Sequence, residues 1–321
     1  MSGSVGGLAA RAGRGALARV VALPSRLPWR FRAWQSLRRE QVLVTDFGPW
    51  TFFYPSSSVI GRSVAEGKGW EPTLGSMLNI MLPADEPLLI ADIGSNIGTS
   101  LAQMISVRPA ARYVCFEPSE RFRSVLNRNI AENDWDNVLV EACLVGADSR
   151  AVPLYTNTST ASVASRHYGG HVFLHATTSP VVRLDDYFRD AARLDLIKTD
   201  TDGFDADVLL GSEAILSRLA PVLYFEFAPF LTRNVGRGPG EPLGYLNRLG
   251  YRTFVVFHQA GEQLAITDDT SDVIELAEQH KYVDVLTAAR PKHVAALAEV
   301  AAATAPADLE LAQSTNRPRA T

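Results

Sequence analysis

An α/β fold built around a mostly parallel sheet is predicted from three observations. Short apolar runs alternate with segments whose apolar residues recur at helical spacing. The first run ends in an acid followed by a glycine-rich turn, in Pro87-Leu-Leu-Ile-Ala-Asp92-Ile-Gly94-Ser95-Asn96-Ile-Gly98. The second run also ends in an acid, in Phe116-Glu117-Pro118. Strand, tight turn, helix and strand in that order form a βαβ unit suited to a nucleoside-bearing ligand. Gly94 and Gly98 are expected to let backbone approach that ligand without an intervening Cβ. Glu117 stands where a carboxylate accepts from both ribose hydroxyls.

Seven sheet strands are expected. Residues 1–40 form a basic arm broken by Pro24 and Pro28. Residues 41–55 read as a hairpin, with Val42, Val44 and Phe47 before a turn at Gly48-Pro49 and Trp50, Phe52 and Phe53 after it. Residues 56–86 read as loops and one helix, carrying Leu74, Met77, Leu78 and Met81 as a lid over the ligand end. Strand one spans 87–92, and its helix (96–107) stops before Pro109. Strand two (112–117) leads to a helix with Ser119 as a plausible cap and Phe122, Val125, Leu126 and Ile130 on one face. Strand three is 137–143. The segment 144–185 interrupts the alternation and holds two short strands near 152–156 and 179–183. Strand four runs from Leu194 to Thr199, followed by a helix from about 204 and strand five at 221–227. A helix near 240–249, strand six (251–257) and a last strand near 282–287 complete a domain over 87–290. Residues 291–321 read as a C-terminal helix and tail.

Composition narrows the class. Hydrophobic residues make up 46%, enough for a sizeable core in an ordinary globule. Eight arginines and no acid fall in residues 1–39, so the rest carries a formal charge of −12 against −4 for the whole. An acidic body argues against a nucleic-acid partner held on a broad basic face. The arm has the composition of a transit peptide or of a basic helix on an acidic surface. Cys115 and Cys143 make no metal-type spacing, and a reducing, cytoplasmic setting fits them. No apolar run approaches the ~20 residues of an integral membrane segment. His167, His171 and His175 recur every four residues, but Gly169-Gly170 interrupts any helix there, and no metal is expected.

The ligand's chemistry follows from what the turn lacks. A dinucleotide site wants G-x-G-x-x-G, whereas Asn96 stands in the middle here and no third glycine follows. Beyond strand four lies Lys198-Thr-Asp200-Thr-Asp202-Gly203-Phe204-Asp205, whose acids would repel a pyrophosphate. S-adenosylmethionine, with its sulfonium and ammonium, suits such a rim. A nicotinamide-dependent oxidoreductase on the same Rossmann-like sheet and a non-catalytic cofactor-binding module are the alternatives. One of the acids would serve merely to cap the following helix; three in six residues exceed what one cap needs.

These strings resemble the FkbM-type S-adenosylmethionine-dependent methyltransferases. The resemblance rests on Ala91 to Gly98, on Val114-Cys-Phe-Glu-Pro118, on Asp195-Leu-Ile-Lys-Thr-Asp-Thr-Asp-Gly203, on the preceding Val182-Arg-Leu-Asp-Asp-Tyr187, and on the pair Trp70-Glu71. It implies a Rossmann-like class I methyltransferase fold and O-methylation of a small-molecule hydroxyl acceptor, such as a sugar or polyketide. Cofactor binding is then expected from Glu71, Asp92, Gly94, Ser95, Asn96, Gly98, Glu117 and Pro118. Asp200, at the end of strand four, is the first candidate to take the hydroxyl proton, and Asp202 the second. Lys198, Asp205, Glu226 and His258 are candidate acceptor contacts. An ion pair with a neighbouring acid is an equal expectation for Lys198. Where the family usually has Glu, this chain has Asp202 and Asp205, one methylene shorter.

Overall fold

A computed structural model describes residues 40–68, 70–163 and 175–304. Strands β1 (Val42–Phe47) and β2 (Trp50–Pro55) form the expected antiparallel hairpin. Two helices follow where one was expected, α1 (Val59–Ala65) and α2 (Thr73–Met81). The first is started by the Ser58 hydroxyl, which accepts from Gly61 N at 3.1 Å. It is too short to show a helical period.

The βαβ block is β3 (Leu89–Ile93), α3 (Thr99–Val107), β4 (Arg112–Phe116), α4 (Glu120–Glu132) and β5 (Val138–Glu141). The irregular stretch folds as β6 (Leu144–Val145), β7 (Ala151–Thr156), β8 (Ala161–Ser162) and β9 (His175–Val182), a small sheet in the order β6-β9-β7-β8. Then come α5 (Leu184–Tyr187), β10 (Leu196–Thr199), α6 (Asp205–Leu210), α7 (Glu213–Leu219), β11 (Val222–Phe227), α8 (Pro229–Asn234), α9 (Gly240–Arg248) and β12 (Phe254–Phe257). The chain continues with β13 (Gln263–Thr267), α10 (Thr270–His280), β14 (Val283–Thr287) and α11 (Pro291–Thr304).

The main sheet has the order β13-β12-β14-β11-β10-β3-β4-β5. Five strands, β11 through β5, pair in parallel, and β14 inserts antiparallel between β11 and β12. The seven expected strands are all present. The eighth, β13, is an edge strand whose five residues, two of them polar, carry too little apolar signal to be read in advance. Both sheet faces are covered, which is why the central strands are continuous apolar runs. Ile90, Leu196 and Val222 pack under α2 and α3, while Ile197, Leu223 and Phe225 face the opposite layer with Leu216 and Leu246.

The chain winds outward in opposite directions from β3 and β10, which are neighbours. Such a switch point opens a crevice beyond the carboxyl ends of the strands. The hairpin is fixed to the body by Asn129 of α4 and by Asn133 just after it. Asn129 Oδ1 accepts from Phe53 N at 2.7 Å and its Nδ2 donates to Phe53 O at 3.0 Å. One turn on, Asn133 does the same for Thr51 N and O, at 3.1 and 2.9 Å. Two side-chain amides thus complete the outer edge of β2 as another strand would.

Candidate active site

A cavity of about 510 Å³ occupies this crevice, a volume within the range of small-molecule sites. Its walls come from the ends of β3, β4, β10 and β11, from Val59, Ile60 and Trp70 of the entry segment, and from the loop 157–163. Ile93, Phe116, Leu144 and Val145 contribute apolar lining, and Lys198, Asp200, Asp202, Glu226 and Tyr282 charged or polar lining.

The side chain of Glu117 is fixed by backbone amides of two turns. Its Oε2 accepts from Asn96 N at 2.9 Å and its Oε1 from Ser119 N at 2.8 Å. Burial pushes the carboxyl up to about 8, against those two amides, which favour the anion. Each oxygen keeps a lone pair for a hydroxyl in the cavity. Gly94, Ser95, Asn96 and Pro118 line the same wall.

Gly94 lines the cavity, and both glycines also allow close packing within the protein. Gly94 has φ +82, and a Cβ there would lie 1.9 Å from the Asp200 carbonyl oxygen. Gly98 has φ +91, and its Cβ would meet Leu126 Cδ1 at 2.8 Å. The first bare backbone lets the β3 turn nest against the β10 turn, and the second lets α3 start against α4. Gly94 and Asp200 both line the cavity, whereas Gly98 does not.

Lys198 is the electrostatic centre. Its side chain is 2% exposed, and its Nζ lies 3.2 Å from Glu71 Oε1, 3.8 Å from Asp92 Oδ1 and 3.7 Å from Asp200 Oδ2. Burial opposes the charge, yet Glu71, Asp200 and Asp92 together hold the ammonium above its ordinary range. The ion-pair expectation for this lysine describes its geometry, and it also reaches the cavity wall. Glu71 sits in a left-handed conformation (φ +44). It accepts from the Ser100 hydroxyl, while Gln103 Nε2 donates to the Trp70 carbonyl. The Trp70-Glu71 pair is therefore pinned to α3 and to β10. Asp92 is wholly buried, has no hydrogen-bond partner on either oxygen, and is pushed up by desolvation.

Register explains how the acids gather. Lys198 pairs with Asp92 on β3 and with Tyr224 on β11. One step outward, Asp200 follows β10 beside Glu226, which pairs with Asp284 on β14. Desolvation pushes Asp200 up to about 7, against Lys198, with Glu71, Asp202 and Asp205 adding to the rise. Glu226 is driven well above the carboxyl range by burial and then by Asp200, Asp202, Asp205 and Asp284; its Oε1 has no partner. Asp202, at φ +53, accepts from the Thr160 hydroxyl across the cavity mouth.

Two expectations are corrected by the geometry. Asp205 points into its own loop, accepting from Thr199 Oγ1 at 2.7 Å and from the amides of Thr201 and Gly203, both at 3.2 Å. It holds the turn in shape and does not line the cavity. His258 sits on the β12–β13 connection, its ring 5.3 Å from that of His280, and is also outside the lining. Tyr282 and Asp284 were not anticipated, because nothing local reveals that β14 inserts beside β11. His167 and His171 lie outside the described residues. Among the described residues no group of three or more His, Cys, Asp or Glu could hold a metal ion, and no helix is long and apolar enough to cross a membrane.

Strand order, the antiparallel β14 and the crevice at the β3/β10 switch point define a Rossmann-like class I methyltransferase fold. The chain belongs to the FkbM methyltransferase family: residues 92–253 match the methyltransferase FkbM domain. Among solved structures, methyltransferase FkbM from Methylobacillus flagellatus KT is similar at 18% identity, over 68% of this chain and 48% of that one, with a TM-score of 0.43. The chain thus spans about half the length of that protein. Aeropyrum pernix fibrillarin, in complex with natively bound S-adenosyl-L-methionine, is similar at 15% identity, over 67% of this chain and 72% of that one, with a TM-score of 0.37. Precorrin-6y C5,15-methyltransferase from Geobacter metallireducens GS-15 is similar at 13% identity, over 67% and 86%, with a TM-score of 0.35. No curated protein matches the chain.

Proposed function

We propose that the protein is an S-adenosylmethionine-dependent methyltransferase that methylates a hydroxyl of a small polar acceptor such as a sugar or polyketide. The observation that carries this reading is the pairing, in one cavity, of an amide-anchored Glu117 after β4 with Asp200 after β10. The residues fit such a cofactor: two carboxylate oxygens for the ribose, apolar lining for the adenine, and the carboxylates of Glu71, Asp92 and Asp200 gathered round the single ammonium of Lys198, an excess of negative charge suited to a cationic ligand. When bound, this cofactor supplies a methyl group on a sulfonium that needs no further activation.

The chain's task is then alignment, exclusion of water and removal of one proton. Alignment alone is worth roughly 7–11 kcal/mol of a displacement barrier. Asp200, 30% exposed and raised to about 7, is ionised in part at neutral pH and takes the acceptor's hydroxyl proton onto its carboxylate. Lys198, held by Glu71 and Asp92, fixes that carboxylate and limits its basicity. Trp70, Val59 and Ile60 add apolar lining that excludes water.

Calorimetric titration with S-adenosylhomocysteine, with NAD as the competing ligand, tests the reading. Binding of the first in the micromolar range without the second is expected; NAD binding alone would overturn it.

A further inference from the structure

The cavity carries more negative charge than the cofactor alone would answer. Among the described residues that line it, Glu117, Asp200, Asp202 and Glu226 are acids and Lys198 is the one cation. Lys198 is committed to Glu71, Asp92 and Asp200, and none of its ion pairs is with Glu226. S-adenosylmethionine brings a sulfonium, an ammonium and a carboxylate, hence a single net positive charge. Glu226 lines the cavity, yet its buried Oε1 has no hydrogen-bond partner. A second lining oxygen, Oγ1 of Thr201, is also buried without one, on a residue only 9% exposed. Buried polar groups left in this state cost stability unless a ligand supplies the missing partner.

Their place in the sheet gives them to the acceptor. In the order β11-β10-β3-β4, Asp200 follows β10, and Glu226 of β11 lies on the side away from the Glu117 that follows β4. Three strand spacings, about 14 Å, separate β11 from β4. A nucleoside held at Glu117 with its methyl group at Asp200 therefore leaves Glu226 for the second substrate. Thr199 pairs with Phe225, so Asp200 and Glu226 stand side by side. Asp284 pairs with Glu226 from β14. Burial, then Asp200, Asp202, Asp205 and Asp284, push the Glu226 carboxyl well up. A cation placed there would offset both the desolvation and the crowding of acids. Among the described residues the acids do not converge as metal ligands do. The cation that fits is an ammonium on a carbon skeleton.

We propose that the acceptor is an amino alcohol, such as an amino sugar, whose ammonium binds Glu226 and Thr201 while its neighbouring hydroxyl meets Asp200. The inference rests on the methyltransferase reading of the site and names its substrate class. A protonated nitrogen has no lone pair, so methyl transfer is confined to the hydroxyl. The C–S bond of the sulfonium breaks as the new C–O bond forms, the hydroxyl proton passes to Asp200, and S-adenosylhomocysteine and a methyl ether leave. The rival arrangement is a protonated Glu226 donating to a neutral polyol.

Calorimetric titration of the full chain, saturated with S-adenosylhomocysteine at neutral pH, separates the two. The probes are glucosamine against glucose and N-acetylglucosamine, and aminocyclohexanol against cyclohexanediol. The ammonium member of each set should bind at least roughly tenfold tighter than its neutral counterparts. Glu226→Gln should abolish that preference and Thr201→Val should reduce it several-fold, with thermal midpoints checked to establish folding. Equal or tighter binding of the neutral members, no binding of any probe, or a preference that survives Glu226→Gln would each overturn the proposal. S-adenosylhomocysteine affinity, measured first on the same samples, reports separately on the methyltransferase reading. Its absence would overturn that reading and this inference with it, whereas its presence without an ammonium preference would overturn this inference alone.

Discussion

The Nζ of Lys198 lies 3.2 Å from Oε1 of Glu71, tying the central strand β10 to the segment whose Trp70 lines the cavity. Because Asp92 and Asp200 lie within 3.8 Å of the same ammonium, one cation serves three carboxylates. Lys198→Met should therefore leave several buried acids uncompensated and cost about 3–5 kcal/mol in urea unfolding at neutral pH. Adding Glu71→Gln should recover part of that loss, a coupling that a double-mutant cycle reads directly.

Asp200→Asn should lower kcat by about 10²–10⁴-fold while leaving S-adenosylhomocysteine affinity nearly unchanged. The wild-type rate should fall as pH drops through about 7, where the carboxyl becomes protonated. That inflection should vanish in the variant. A kcat/KM profile retaining it would assign the base elsewhere, with Asp202 next in line.

Gly94→Ala places a methyl group 1.9 Å from the Asp200 carbonyl oxygen at φ +82. Strain of this backbone kind alone is worth about 1–3 kcal/mol, and the clash adds to it. Gly67 shares the conformation (φ +71) with nothing within 4 Å, so Gly67→Ala isolates the conformational part. Thermal midpoints of the two variants should differ in that order, and only Gly94→Ala should also impair turnover.

Glu117 and Asp200 carry folded-state values of about 8 and about 7, above the ordinary carboxyl range. The folded chain then holds protons that the unfolded chain has released, so stability is greatest on the acid side and declines as pH rises toward 8. A thermal midpoint higher at roughly pH 5.5 than at roughly pH 8 is expected for the free protein. Glu117→Gln should flatten this slope and weaken S-adenosylhomocysteine binding at least roughly tenfold, since a carboxamide cannot accept from both amides and a ribose alike.

Much of the fold was legible because the central strands are apolar on both faces and end in acids at the crevice. Glu117 and Asp200 could be placed from strand ends alone. Asp205 could not, since the choice between cavity and loop was made by Thr199 Oγ1 and two amides that compete for the same carboxylate. Tyr282 and Asp284 depended on β14 crossing back between β11 and β12, a step of topology that leaves no local trace. The glycine turn was read for ligand access alone; Gly94 lines the cavity, and the turn also packs against the Asp200 backbone, a constraint no local string reveals.

Asn129 and Asn133 have a consequence for how this scaffold can change. Spaced one helical turn apart, they match two alternate residues of β2, Thr51 and Phe53, on both amide and carbonyl. A one-residue slip of the hairpin would break all four bonds and turn Phe52 away from the core. Insertions at the Gly48 tip are therefore tolerable, whereas lengthening the chain between the hairpin and α1 would misalign the mouth. Diversification of the hairpin is steered to its tip by a pair of carboxamides.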